Sequence, residues 1–314
     1  MRKKPIANLA ASVQSRLLNL SRERGEDFNL LLRRYAIERL LYRLSQSAYR
    51  EQFVLKGAML FVVWAGQIYR PTRDLDLLAY GDTSPEKLIN IFRDLSQIEI
   101  EQDGLTFDSA SLAAEAIREG QKYHGWRVRM MVLLGVVRIP VQVDVGFGDV
   151  ITPAPIEVEY PTLLDFTTPH LFAYTKETVI AEKFLAMVTL GIANSRIKDF
   201  YDIWMMAATF TFEGSLLARA ITATFQRQNT PLPKDIPIAL TAQFAESMDK
   251  QRQWQAFIQR NRLNAPAAFA EVIQALRSFL LPLLTALNNR AAFEQSWPFG
   301  GPWTKHANEE RVCP

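Results

Sequence analysis

Leu30, Leu31, Tyr35, Ile37, Leu40, Leu41 and Leu44 recur at helical spacing and predict a helix over about Glu26 to Ser45. Before it, Ile6, Leu9, Val13, Leu17 and Leu20 are interleaved with Arg2, Lys3, Lys4, Arg16 and Arg22, and the first acid is Glu23. That is a basic amphipathic helix, without the continuous apolar core of a secretory signal, so a positively charged docking helix is expected rather than a leader. Phe53-Val54-Leu55 runs into Lys56-Gly57-Ala58 and then Met59 to Ala65, a strand, turn and helix. The run D-L-D-L-L-A-Y from Asp74 reads as a strand whose alternation puts Asp74 and Asp76 on one face and Leu75 and Leu77 on the other. Ser84 as cap and Pro85 at the first helical position open a helix to about Leu95. From Trp126 to Val145 two strand-like runs break at Gly135; Val141, Val143 and Val145 alternate with Gln142 and Asp144, which places Asp144 opposite the valines.

After a soft boundary near Pro161 the pattern turns almost entirely helical. Helices are expected over about Lys176 to Leu190, ended by Gly191, then Ile197 to Ala208, Ser215 to Phe225, Ala239 to Arg260 and Ala267 to Leu287. The last 20 or so residues, with Pro298, Gly300, Gly301 and Pro302, read as a poorly ordered tail. The chain of 314 residues, 48% hydrophobic and 22% charged, is long enough for a substantial core. Uncharged runs such as Gly57 to Gly66 fall short of the roughly 20 residues that cross a bilayer, so no membrane span is expected. Cys313 is the single cysteine, which excludes an intrachain disulfide or a cysteine metal cluster and fits a reducing cytosol. A net charge of +3 is too small to argue nucleic-acid binding, so the distribution of charge must decide it.

Four clusters could carry chemistry. Lys56-Gly57-Ala58 offers a close backbone approach and free N–H donors to an anion, although plain turn chemistry explains a glycine there as well. Arg70, Arg73, Asp74 and Asp76 combine two acids that repel unless a cation joins them with two arginines that could be that cation through strand-end salt bridges. Asp144 has no cation beside it in sequence and is either a solvated strand residue or a third site acid. Three acids on adjacent strands beside a glycine turn suit the magnesium ions of a nucleoside triphosphate. In the helical half, Glu182 and Lys183 precede S-R-I-K-D-F-Y-D from Ser195; Lys198 and Asp202 have the spacing of a surface pair, while Lys183 and Arg196 suit phosphate oxygens. His124, His170 and His306 have no metal-ligand spacing, and no P-loop, nucleophile elbow or dinucleotide fingerprint occurs.

With those residues in view, the chain resembles the AbiEii/AbiGii toxin family of nucleotidyltransferases, relatives of the DNA polymerase β-like fold and of the MenT toxins. The carrying segments, in family order, are F-V-L-K-G-A-M-L from Phe53, R-P-T-R-D-L-D from Arg70, V-Q-V-D-V-G-F-G-D from Val141, A-E-K-F-L-A-M-V from Ala181 and N-S-R-I-K-D-F-Y-D from Asn194. The resemblance implies an α+β fold, with a polymerase β-like core and mixed sheet followed by a mainly helical C-terminal half. It divides the chain into N-terminal helices (1–48), the nucleotidyltransferase core (49–161), a helical domain that completes the active site (162–292) and a tail (293–314). It implies Mg2+ (or Mn2+) on Asp74, Asp76 and Asp144, with Lys183 and Asp199 also catalytic, the base being Lys183 or a carboxylate. Lys56, Gly57, Ala58, Arg70, Arg73, Arg196 and Lys198 would serve the nucleotide. Ala58 departs from the glycine or serine usual after the first glycine. The implied activity is transfer of NMP from an NTP to an acceptor, expected to be RNA at a tRNA 3′ end, by a cytoplasmic toxin with a cognate antitoxin. The basic N-terminal helix with Arg33, Arg34 and Arg39 would supply phosphate contacts. The alternative is a non-catalytic nucleotide- or RNA-binding regulator on the same fold, which Ala58 favours; a metal phosphohydrolase is a third.

Overall fold

A computed structural model describes residues 8–305, apart from 68, 83, 120 and 121. The chain forms two compact units, the first made of residues 1–149 and 155–174 and the second of 150–154 and 175–314. The changeover thus lies at Tyr174–Thr175 rather than at Pro161, and the N-terminal helices belong to the same unit as the core.

In the first unit, α1 (Leu9–Arg24) starts where the Asn8 side chain accepts from the Ala11 N–H and stops at left-handed Gly25; α2 (Phe28–Ser45) is capped by Asp27. Val13 and Leu17 of α1 are buried as the spacing requires, while Arg2, Lys3, Lys4 and Ile6 lie outside the described residues. Next come β1 (Phe53–Lys56), a single 3₁₀ turn (Gly57–Met59), α3 (Leu60–Ala65), β2 (Leu75–Ala79) and α4 (Pro85–Gln97). Ser84 stands at the cap of α4 but makes no side-chain cap bond. The strands β3 (Leu105–Glu119), β4 (Lys122–Leu134), β5 (Val137–Phe147), β6 (Ile156–Glu159) and β7 (His170–Ala173) complete one mixed sheet ordered β3-β4-β5-β2-β1-β7-β6. The long strand β3, which has no clean alternation, escaped the sequence reading, as did β6 and β7.

α2 packs across β5 and α4 across β3, covering the face built by Leu75, Leu77, Val141, Val143 and Val145, all 2% exposed or less. The other face, with Gln142 and Asp144, is left half-exposed. Three arginines of α2 divide sharply here. Arg39 is fully buried against Asp103 and Glu101, Arg43 joins it on Asp103 at 2.7 Å, and Arg34 pairs with Glu26 at 2.7 Å. Arg34 and Arg39 are therefore internal cations, and the phosphate contacts expected of them are not available.

The second unit contains α5 (Lys176–Leu190), α6 (Ile197–Thr209), β8 (Phe212–Glu213), α7 (Gly214–Arg227), α8 (Ala242–Glu246), α9 (Met248–Asn261), α10 (Phe269–Asn288), β9 (Gln295–Trp297) and β10 (Thr304–Lys305). The helix expected over Ala239 to Arg260 is broken at Ser247 into α8 and α9. The tail is not loose where it is described: β8, β9 and β10 pair, Trp297 donates to the Ala207 carbonyl at 2.7 Å, and Trp303 stacks on Phe279 with centroids 5.6 Å apart. Aromatic burial overrides the local glycines and prolines there. α10 is also the one helix, among the described residues, long and apolar enough to cross a membrane, where no such run was expected. Its Phe269, Leu276, Phe279, Leu280 and Leu283 are each 1% exposed or less, which is the buried stripe of a core helix.

Candidate active site

The strand pairings place the acids. β2 runs antiparallel to β1 with Lys56 opposite Asp76, and parallel to β5 with Asp76 beside Asp144. Parallel neighbours in register point to the same face, so the two carboxylates stand side by side, with Asp74 just before β2 at the same edge. All three are half-buried.

Gly57 is what admits Asp76 to that position. Its φ of +74° lies in the left-handed region that side chains resist. A Cβ on it would overlap the Asp76 carboxylate, so the turn backbone and the acid are in contact. Ala58 is 5% exposed and its methyl belongs to the interior. Lys56 Nζ donates to Asp149 Oδ2 at 2.7 Å, and the Tyr174 hydroxyl donates to the same oxygen at 3.0 Å. Arg70 is half-buried and Arg73 exposed.

Asp144 corrects the sequence reading. It lacks a cation only along the chain; across the sheet, Arg127 of β4 donates from Nε to Oδ1 and from Nη2 to Oδ2, each at 2.8 Å. Gln142 Nε2 adds a bond to Oδ1 at 3.2 Å. Those hydrogen bonds push the Arg127 pKa up from its usual value, with the charges of Asp144, Asp74 and Glu115 adding to the effect against partial burial. A carboxylate held by a bidentate guanidinium has one lone pair on each oxygen engaged and its charge compensated. Among the described residues no group of three or more histidine, cysteine, aspartate or glutamate side chains is arranged to hold a metal ion. Of the three acids expected to hold a metal, Asp144 is thus engaged by Arg127. Carboxylate oxygens, such as those of Asp74 and Asp76, are hard donors of the kind that Mg2+ or Mn2+ takes.

In the second unit, Lys183 of α5 lies 2.7 Å from Asp199 Oδ1 and 2.8 Å from Asp202 Oδ2, both acids with side chains 1% exposed. Asp202 therefore pairs with Lys183 and not with exposed Lys198. Arg196 Nε approaches Asp199 Oδ2 to 2.7 Å, within ion-pair reach though not aligned for a hydrogen bond. The loop before α6 is fixed from both sides: Asn194 Oδ1 accepts from the Arg196 N–H at 2.8 Å, and buried Lys250 donates to the Asn194 carbonyl at 2.7 Å. Buried charges of this kind persist only when paired.

A family model described as the nucleotidyl transferase AbiEii toxin of type IV toxin–antitoxin systems matches residues 39–275. The chain belongs to the AbiEii family. As a member it is a nucleotidyltransferase of a toxin–antitoxin system, with an NTP as substrate and a cognate antitoxin as partner. Two solved structures are similar in part. JHP933 from Helicobacter pylori is 12% identical with a TM-score of 0.43, over 83% of this chain and 97% of that one. A Helicobacter pylori protein described as a candidate nucleotidyltransferase is 11% identical with a TM-score of 0.39, over 81% and 96%. Likenesses at that level add nothing to the AbiEii assignment. Among curated proteins none matches the chain significantly.

Arg127, Asp149, Tyr174 and Asp202 are the partners of candidate residues that sequence reasoning did not find. One was recoverable. The two-residue turn Gly135-Val136 pairs Leu134 with Val137, and counting outward from it brings Arg127 opposite Asp144.

Proposed function

We propose that this AbiEii-family chain is a divalent-metal-dependent nucleotidyltransferase that transfers a nucleoside monophosphate from an NTP to the 3′ end of an RNA, with tRNA as the expected acceptor, and releases pyrophosphate. The observation that carries the reading is the contact between the left-handed Gly57 turn and the Asp76 carboxylate, beside Asp74. A glycine backbone touching an acid pair is what a magnesium-bound triphosphate requires of its cradle. Asp74 and Asp76 would hold Mg2+ or Mn2+, which when bound neutralises phosphate charge and lowers the pKa of an attacking hydroxyl. Gly57 and Ala58 lend backbone to the phosphates. Lys56, fixed by Asp149, contributes positive charge at the same turn, and Arg70 is assigned to the nucleotide with it. Asp144 is a positioning acid, held by Arg127 next to Asp76. Lys183, Arg196 and Lys198 are assigned to the nucleotide and Asp199 to holding the first two in place. A cytoplasmic site of action accords with an RNA acceptor and a neutralising antitoxin.

Purified protein incubated with each labelled NTP, Mg2+ and total RNA should move label onto RNA with release of pyrophosphate, and Asp76→Ala or EDTA should abolish the transfer. Label that stays on the nucleotide, transfer that survives Asp76→Ala, or release of free phosphate instead of pyrophosphate would each overturn the reading.

A further inference from the structure

A cavity of about 300 Å3 opens next to Asp74 and gathers Arg33 of α2, Arg73 of the loop before β2, Arg129 of β4 and Arg138 of β5. Arg33 buries its Nε without a hydrogen-bond partner, a donor aimed at nothing in the protein. Arg129 is oriented by Glu115, which lies 2.7 Å from its Nη2 and leaves the side chain 54% exposed. Arg73 and Arg138 are exposed, and neither forms an ion pair among the described residues. Four guanidinium groups facing one carboxylate make a strongly cationic hollow in a chain whose net charge is only +3.

The strand order says which anion fits. In the run β4-β5-β2-β1, the Gly57 turn follows β1 on one side of Asp74, whereas Arg129 and Arg138 stand on β4 and β5 on the other side. The arginines come from four different elements and line one hollow, with Arg129 and Arg138 on the side of Asp74 away from the Gly57 turn, which suits the phosphates of a strand rather than a triphosphate seated at that turn. We infer that this arginine-lined cavity is the phosphodiester subsite for the acceptor strand, a single-stranded RNA whose 3′ end it leads to the Asp74–Asp76 edge. The inference rests on the proposed transfer to RNA and adds to it the surface on which the strand lies.

The test is fluorescence anisotropy of a labelled single-stranded oligoribonucleotide of mixed sequence, with neither NTP nor metal present. Arg129→Ala/Arg138→Ala removes two exposed side chains. Each phosphate contact contributes about 0.7 to the salt slope on a single strand, so the double variant should lower that slope by about 1.4 and weaken binding about 25-fold near 0.1 M salt. Binding of a fluorescent NTP analogue and the unfolding temperature should not change. Unchanged RNA affinity and slope would overturn the inference. So would equal losses of RNA and NTP-analogue binding, which would assign the arginines to the triphosphate, or an intact protein that binds no RNA. Because anisotropy needs no turnover, RNA binding that depends on these arginines in a protein that transfers no label would defeat the proposed chemistry and leave the subsite standing.

Discussion

A methyl group at Gly57 would separate two effects that usually travel together, and Gly66 supplies the control. Both glycines are left-handed, with φ of +74° and +68°, so alanine costs each about 1–2 kcal/mol of backbone strain. In a unit of this size that lowers the unfolding temperature by roughly 2–8 °C. Around Gly66 there is no atom within 4 Å of an added Cβ, whereas at Gly57 the Cβ would overlap the Asp76 carboxylate. Asp76 lies in a strand paired on both sides and cannot retreat by backbone movement, so its carboxyl must swing out of place. A displacement of about 1 Å in a catalytic group costs on the order of 100-fold in rate. Gly57→Ala should therefore lose at least about 100-fold in labelled-NTP transfer, while Gly66→Ala melts similarly early but keeps its activity within about twofold. Equal activities in the two variants, with comparable melting, would refute the argument that close approach to Asp76 is the reason for glycine at 57.

Three further outcomes are expected. Arg127→Met frees the Asp144 carboxylate beside Asp76 and should tighten Mn2+ binding at least about fivefold by calorimetry, since an added unit charge at about 4 Å is worth 1 kcal/mol or more; unchanged affinity would place Asp144 out of reach of the metal. Asp103→Ala strands buried Arg39 and Arg43 and should cost about 3–5 kcal/mol in denaturant unfolding, with oligoribonucleotide affinity unaltered in the folded protein. Glu38 is pushed up to about 8 by burial, which outweighs the favourable bond it accepts from the Leu163 N–H at 2.7 Å. A raised folded-state pKa contributes stability that is complete below the unfolded value and lost as pH rises to about 8, so Glu38→Gln should remove a dependence of up to about 1.4 kcal/mol per pH unit between roughly pH 4.5 and 8; an unchanged pH profile would show that Glu38 does not carry it.

What the chain declared in advance follows from the range of the forces involved. The alternation about Asp76 and Asp144, the stop at Gly191 and the break between strands at Gly135 are local, and they read directly from neighbouring residues. Arg39 and Arg34 are the contrary case. On an α2 helical wheel they look like a basic stripe, yet Asp103, against which Arg39 is buried, comes from a distant part of the chain, while Arg34 turns back to Glu26 just before the helix. The C-terminal segment errs in the same way: its prolines and glycines signal a tail, and only the indole rings of Trp297 and Trp303, meeting Phe279 of α10, turn it into β-structure.

Asp144 shows how one such distant partner alters the chemistry. With three neighbouring acids unpaired, the edge of β2 and β5 would carry three negative charges and call for more than one divalent cation. Arg127 pairs with one of them through a bidentate guanidinium and so lowers the negative charge at that edge. Beyond that edge the sign of the surface reverses, from the acids to the four arginines of the adjoining hollow. An NTP arrives with a chelated divalent cation, whereas an acceptor strand arrives with loosely held counterions that cationic side chains displace. A face that offers acids to the first and guanidinium groups to the second has the polarity that nucleotidyl transfer between them requires.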